Sequence, residues 1–123
     1  MINLQDVIHI HDILIDKFGG IKDVRDLPML ESALARPFQT FDQKDLYPTP
    51  IEKSAALIES ILINHPFIDG NKRIGYVLMR LLLMDNGYNI SASQDDKYDF
   101  VINIAKGVYR FDNITDWIKK KII

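Results

Sequence analysis

The chain has 123 residues, enough for one hydrophobic core but too few for a second, so a single domain over residues 1–123 is expected. Its 15 basic and 17 acidic side chains nearly balance, which argues against direct nucleic-acid binding, because such proteins need a basic surface. Cysteine is absent, which excludes disulfides, cysteine-ligated zinc and thiol catalysis.

The sequence shows no pattern typical of a secretory signal or of a membrane-spanning helix. Asp6 lies where a secretory signal would carry basic residues. The apolar stretch Val77–Met84 is interrupted by Arg80 and is too short to span a bilayer. We therefore expect a cytoplasmic protein without membrane contact.

The first third of the chain predicts two helices. Apolar residues recur at helical spacing over Leu4–Phe18, and Gly19 follows as a stop. A second helix is predicted over Leu27–Arg36, with Asp26 as its N-cap. Pro37 is expected to end it, because proline cannot continue a helix.

Residues 38–48 show no clear period and are predicted to form a loop with some extended backbone. Thr49, Pro50 and Glu52 then form a typical helix start, in which Thr49 caps the helix and Glu52 completes a capping box. This third helix is predicted to continue to about Asn64.

Three more helices are predicted in the second half. The strongly apolar segment Ile74–Met84 is expected to be the most buried helix, with Asn86 at its C-terminal stop. A capped helix should run from Ser93 to about Lys106, and a last one should begin at about Thr115. The pattern predicts an all-α domain.

The segment His65–Arg73 lies between two apolar helices, directly before the second. The first N–H groups of a helix have no intrahelical partner, and together with the helix dipole they form an anion site. Gly70 allows a ligand to approach the backbone closely. Asn71, Lys72 and Arg73 add an amide, a point charge and a planar fork, three ways to hold phosphate oxygens.

Two side chains of this segment could supply chemistry. Asp69 offers a carboxylate for Mg²⁺ shared with phosphates, and His65 is able to take a proton near neutral pH. Taken singly, each has a plainer explanation as part of a helix-capping turn. Lys72 and Arg73, however, are unfavourable at a helix N-terminus unless an anion is bound there. The combination favours a nucleotide-phosphate site.

Two other histidines are a weaker signal. His9 and His11 are two residues apart on a predicted helix, so their side chains diverge and cannot chelate one metal ion. We expect one of them to face the core and the other to face solvent.

The segment resembles the signature of the Fic/Doc (Fido) family, H-x-F-x-[D/E]-G-N-x-R. Its defining positions are filled by His65, Phe67, Asp69, Gly70, Asn71 and Arg73. The stretches Phe18–Asp23 and Leu30–Pro37 also resemble the death-on-curing (Doc) branch. The resemblance implies an all-α Fic-fold bundle of about six helices, with the catalytic loop between two central helices and a short flap.

The resemblance also implies a role for each matched residue. His65 would be the general base toward the target hydroxyl, Phe67 would anchor the loop in the core, and Asp69 would hold Mg²⁺. Nucleotide and phosphate binding would fall to Gly70, Asn71, Lys72 and Arg73.

Two departures bear on the reaction. Fic proteins that transfer AMP usually have glycine where Lys72 stands and a second arginine where Tyr76 stands. Lysine at the first position is typical of the Doc branch, which is similar to a kinase and transfers the terminal phosphate to a threonine of elongation factor Tu. The resemblance therefore favours phosphoryl transfer from ATP, or another nucleoside triphosphate, to a Ser/Thr hydroxyl. AMP or other nucleotidyl transfer is one alternative, and a catalytically idle module that binds a nucleotide or a partner is another.

In this family, the region after the second helix forms a flap that positions the target segment by strand-like pairing. The candidate docking residues are Phe41, Asp42, Asp45, Leu46 and Tyr47, with an ordinary surface loop as the alternative. The family's inhibitory motif, [S/T]-x-x-x-E-[G/N], is absent. Restraint is therefore expected from a separate Phd-like antitoxin that binds an apolar groove, and such a groove would also favour a homo-oligomer.

Overall fold

The computed structural model describes residues 2–123, which form six α-helices and one small hairpin. The helices are α1 (Leu4–Phe18), α2 (Leu27–Ala35), α3 (Pro50–Asn64), α4 (Asn71–Asp85), α5 (Gln94–Ala105) and α6 (Phe111–Lys121). Strands β1 (Thr40–Phe41) and β2 (Lys44–Asp45) pair antiparallel, after a 3₁₀ turn at Arg36–Phe38. The predicted all-α class and the helix count are confirmed. No helix within residues 2–123 is long and apolar enough to cross a membrane.

Side-chain caps fix the beginnings of the helices. Asp26 accepts a hydrogen bond from the Met29 N–H at 3.0 Å, and Thr49 Oγ1 accepts from the Glu52 N–H at 3.2 Å. Both predicted starts are confirmed. The Glu52 carboxylate, however, accepts from the Thr49 hydroxyl instead of bonding back to the backbone as the predicted capping box requires.

The start of α6 was predicted wrongly. The helix begins at Phe111, a full turn before Thr115. The residue that marks this earlier start is Asn113. Its Oδ1 accepts from the Arg110 N–H at 2.9 Å and thereby satisfies the first donor of the helix.

Helix α3 is the most buried element, and the expectation that Ile74–Met84 would be so is wrong. All nine residues from Ser54 to Leu62 are buried, because α3 packs against α2, α4, α5 and α6 together. Helix α4 keeps Leu81 and Met84 exposed. Gly75 lets α4 approach α3 closely, since a Cβ there would lie 3.3 Å from Ile61.

A buried carboxylate joins three parts of the bundle. Glu59 on α3 is 3% exposed and pairs with Arg36 at 2.8 Å and with Arg110 at 3.3 Å. Arg36 also donates to the Tyr47 hydroxyl at 3.0 Å. Burial lowers the pKa of Arg36, but its hydrogen bonds to Glu59 and Tyr47 outweigh burial and leave that pKa raised.

The hairpin projects from the bundle and is held at its base. Asp42 and Gln43 form its turn with positive φ angles of 52° and 64°. Lys53 of α3 donates to Asp45 at 3.2 Å and to the carbonyl oxygens of Pro37 and Tyr47. The predicted loop with some extended backbone is confirmed, and we call residues 39–47 the flap.

Candidate functional site

The loop between α3 and α4 begins with a backbone reversal at His65. This residue has φ 53° and ψ 54°, in the left-handed region, and its N–H closes α3 on the Ile61 carbonyl at 3.1 Å. Arg25 donates to the carbonyls of Asn64 and His65, both at 2.7 Å. A cation at a helix C-terminus is favourable, so Arg25 holds the chain where it leaves the helix.

The segment between α1 and α2 pairs with this loop. Arg25 N–H donates to the Pro66 carbonyl at 2.7 Å, and Ile68 N–H donates to the Asp23 carbonyl at 3.2 Å. Ile21 N–H donates to Asp69 Oδ2 at 2.8 Å. The stretch Phe18–Asp23, singled out by its resemblance, therefore shapes the loop through its backbone.

Phe67 and Asn71 lock the centre of the loop. Phe67 is fully buried, as expected of an anchor. Asn71 Oδ1 accepts from the Phe67 N–H at 3.0 Å, and its Nδ2 donates to the Phe67 carbonyl at 2.9 Å. This use of the Asn71 amide differs from the expected free donor, and what Asn71 can still offer an anion is its backbone N–H.

The N-terminus of α4 has no side-chain cap. The first helical bond runs from Ile74 N–H to the Gly70 carbonyl at 2.9 Å, and within residues 2–123 the N–H groups of Asn71, Lys72 and Arg73 have no acceptor. Gly70 has φ 78°, and a Cβ there would lie 3.2 Å from Ile15 and 3.3 Å from His11. Only glycine fits this position without strain.

The two cations of this terminus differ in their contacts. The Arg73 guanidinium lies 4.3 Å from the centre of the Phe18 ring, a cation–π contact that offsets part of its unfavourable position at the helix N-terminus. No ion pair in the described part of the chain involves Lys72, which is exposed. Lys72 therefore remains the cation best explained by a bound anion.

The candidate base and the candidate metal ligand of the loop are both accessible to solvent. His65 is exposed, and Asp69 is half-buried. Asp69 uses Oδ2 to accept from Ile21, whereas its Oδ1 has no partner among residues 2–123. No group of three His, Cys, Asp or Glu side chains in residues 2–123 could hold a metal ion alone. One free carboxylate oxygen suits Mg²⁺, which binds through one or two carboxylates together with substrate phosphates.

An open groove of about 490 Å³ adjoins the cations. Its lining combines apolar side chains of α1, α4 and α5 with Lys72, Arg73 and Lys97. Tyr76 also lines it, and burial raises the pKa of this phenol, whose hydroxyl has no partner in the described chain. We call this the basic groove.

The flap residues fall into two groups. Asp45 and Tyr47 are engaged by Lys53 and Arg36, so they anchor the flap. Phe41, which is 76% exposed, forms the other group with the exposed Asp42 and Leu46.

His11 is the buried histidine and His9 the exposed one, which confirms that one faces the core. The ring of His11 stacks on Phe67 with centroids 3.7 Å apart, and Nε2 donates to the Asp69 carbonyl at 2.7 Å. Sequence reasoning missed both His11 and Arg25 as parts of the loop. The helical period indicated a core histidine, but nothing local indicated which backbone it meets.

The chain is similar to known proteins over the part that contains this loop. The model of the Fic/DOC family matches residues 1–83, which include the whole loop and all but the last two residues of α4. The chain is also similar to Toxin Doc of Mycolicibacterium smegmatis, with 39% identity over 87 residues, or 70% of this chain and 67% of the relative. The family match spans more than half of the chain and contains every residue of the signature. The chain therefore belongs to the Fic/DOC family.

Proposed function

We propose that this protein is a Doc-type toxin that transfers the terminal phosphoryl group of ATP, or another nucleoside triphosphate, to a Ser/Thr hydroxyl of a target protein. One observation carries the proposal: the segment His65–Arg73 ends in three unpartnered N–H groups, and it also carries the free cation Lys72, the exposed His65 and the free oxygen of Asp69. This set can hold phosphates, share a metal ion with them and accept a proton.

The residues divide the reaction among them. The N–H groups of Asn71–Arg73 and the cations Lys72 and Arg73 hold the phosphates and stabilise charge in the transition state. His65 accepts the proton of the target hydroxyl as its oxygen forms a bond to the terminal phosphorus. The bond to the bridging oxygen breaks, and the nucleoside diphosphate leaves with that electron pair. Mg²⁺ bound at Asp69 Oδ1 would neutralise charge on the phosphates.

Elongation factor Tu is our first candidate target, because the Doc branch that this chain resembles acts on it. Purified elongation factor Tu incubated with the protein, ATP and Mg²⁺ should gain the mass of one phosphate on a threonine. The exposed part of the flap, Phe41 and Leu46, would present that segment by backbone pairing. If elongation factor Tu stays unmodified while the protein labels other proteins of a bacterial lysate, this target is excluded but the proposed phosphoryl transfer still stands.

The transfer itself is tested with two labels. The protein is incubated with a bacterial lysate and ATP labelled at either the α or the γ phosphate, with His65→Asn as the inactive control. We expect label from γ alone to be retained on protein. Retention from α would establish AMP transfer instead, and retention from neither would favour a module that binds without chemistry.

The toxin part of the proposal rests on the name of the relative and on the basic groove. Three cations around an apolar groove suit an acidic amphipathic helix, which we propose to be a segment of a separate Phd-like antitoxin acting in the cytoplasm. Wild-type protein expressed in a bacterium should arrest growth, His65→Asn should not, and co-expressed antitoxin should restore growth. Normal growth with abundant soluble wild type would contradict the toxin role.

A further inference from the structure

The fourth orphan donor of α4 is the N–H of Gly70, the N-cap residue. Of the first four N–H groups of a helix, none has an intrahelical partner, and here they belong to Gly70, Asn71, Lys72 and Arg73. The direction of the last three is fixed by the helix. That of Gly70 depends on the peptide that joins it to Asp69, which lies outside the helix.

Gly70 alone does not fix the orientation of the Asp69–Gly70 peptide plane. Gly70 has φ 78°, but glycine populates positive and negative φ about equally, so rotation of the Asp69–Gly70 peptide is not opposed at Gly70. The rotated peptide would turn the Asp69 carbonyl oxygen toward the anion site in place of the N–H. A lone pair facing a phosphate is repulsive, so the site needs a contact that fixes the peptide.

His11 makes that contact. Its Nε2 lies 2.7 Å from the Asp69 carbonyl oxygen, and since a carbonyl only accepts, Nε2 carries the proton. The ring is fully buried and stacked on Phe67, with centroids 3.7 Å apart and planes 12° from parallel, so the donor is held in place. In a trans peptide, C=O and N–H point in opposite directions. With the Asp69 carbonyl turned to His11, the Gly70 N–H points away from the core.

We propose that His11 is a positioning residue, which through the Asp69 carbonyl turns the Gly70 N–H outward as the fourth donor of the anion site. The inference rests on the anion-binding part of the proposed function and not on the transfer step. His11 contacts neither nucleotide nor target in this role; it acts through the backbone.

The sequence allows a direct measurement. Asp69–Gly70 is the one Asp–Gly pair of the chain, so protein labelled with ¹³C′-aspartate and ¹⁵N-glycine gives a single correlation for the Gly70 amide. This signal is followed while sodium pyrophosphate is added, with sodium chloride at equal ionic strength as a blank. We expect it to move downfield and saturate in wild type.

Three variants separate positioning from packing. His11→Phe keeps a stacked ring and removes the donor, so the Gly70 response should disappear and pyrophosphate binding weaken about ten- to a hundredfold, as for loss of a hydrogen bond to a charged group. His11→Gln restores a donor at similar reach and should recover most of the response. His9→Phe, on the exposed face of the same helix, should match wild type.

Each outcome decides the proposal. A folded His11→Phe whose Gly70 signal responds as in wild type would overturn it, and so would a wild-type signal that ignores pyrophosphate. If His11→Phe fails to fold, the wild-type Gly70 response and the ring tautomer decide, because ¹⁵N spectra that show Nδ1 protonated and Nε2 bare would exclude the donor. Wild type that binds pyrophosphate through Gly70 but transfers no label would support His11 and contradict the proposed transfer.

Discussion

At the residue scale, His65 combines a strained backbone with a free side chain. Its left-handed conformation is held from outside by Arg25, so the loop does not depend on the imidazole. We predict that His65→Asn lowers the rate of modification by about 10²–10⁴-fold, the usual contribution of a general base. Asparagine tolerates the left-handed region, so the melting temperature and nucleotide affinity should stay near wild type. Turnover close to wild type in this variant would remove His65 from the mechanism.

A second prediction at this scale concerns Lys72. Replacing it should stabilise the free protein but weaken the stabilisation that a bound nucleotide provides. An unpaired cation at a helix N-terminus is unfavourable, so Lys72→Ala should stabilise the free protein by about 0.3–1 kcal/mol. With MgATP, the same variant should show a smaller rise in melting temperature than wild type, because a phosphate contact is lost. Lys44→Ala, an exposed lysine of the flap, is the control. An unchanged nucleotide-dependent shift in Lys72→Ala would contradict the anion site as described.

At the element scale, the flap is the part of the fold held mainly by side chains of its neighbours. Lys53 of α3 ties the flap to the bundle, because it donates to the Asp45 carboxylate and to the Pro37 and Tyr47 carbonyls. We predict that Lys53→Met frees the flap, so that chymotrypsin cleaves after the exposed Phe41 several times faster. The KM for the protein target should rise while nucleotide affinity stays constant. Lys44→Met is the matched control. Equal cleavage of wild type and Lys53→Met would show that the two-strand pairing alone holds the flap.

The same scale shows what the sequence could and could not predict. Local signals, such as the Thr49 cap and the stop at Asn86, placed helix boundaries correctly, because a cap acts within a few residues. The signature likewise placed the loop between α3 and α4. The burial of α3 was not predictable, because it results from packing against four other helices at once. The support of the loop by Arg25 and His11 was not predictable either, since these residues lie 40 and 58 positions from the carbonyls of His65 and Asp69 that they contact.

At the scale of the whole molecule, the family match and the fold do not end at the same place. The match covers residues 1–83, which contain the loop, yet α5 and α6 pack on α3 and α5 lines the basic groove. Phe100 and Trp117 stack at 3.8 Å to join these two helices. The C-terminal third therefore forms a buried apolar cluster with α3 and α4, and α5 supplies one wall of the surface where we propose that an antitoxin binds.

Glu59 on α3 connects the turn before the flap with the start of α6, because its partners are Arg36, in that turn, and Arg110, directly before α6. Removing one member of a buried ion pair leaves the others uncompensated, which typically costs about 3–5 kcal/mol. Arg110 is well exposed and can be hydrated, so for Glu59→Gln we predict a loss near the lower limit, about 3 kcal/mol of unfolding free energy. Urea unfolding measures it, with Glu31→Gln, an exposed residue of α2, as the control. Because Arg36 also holds Tyr47, the variant should loosen the flap as well, seen as faster cleavage after Phe41. A Glu59→Gln protein as stable as the control would show that hydration of the two arginines replaces the buried carboxylate at no net cost.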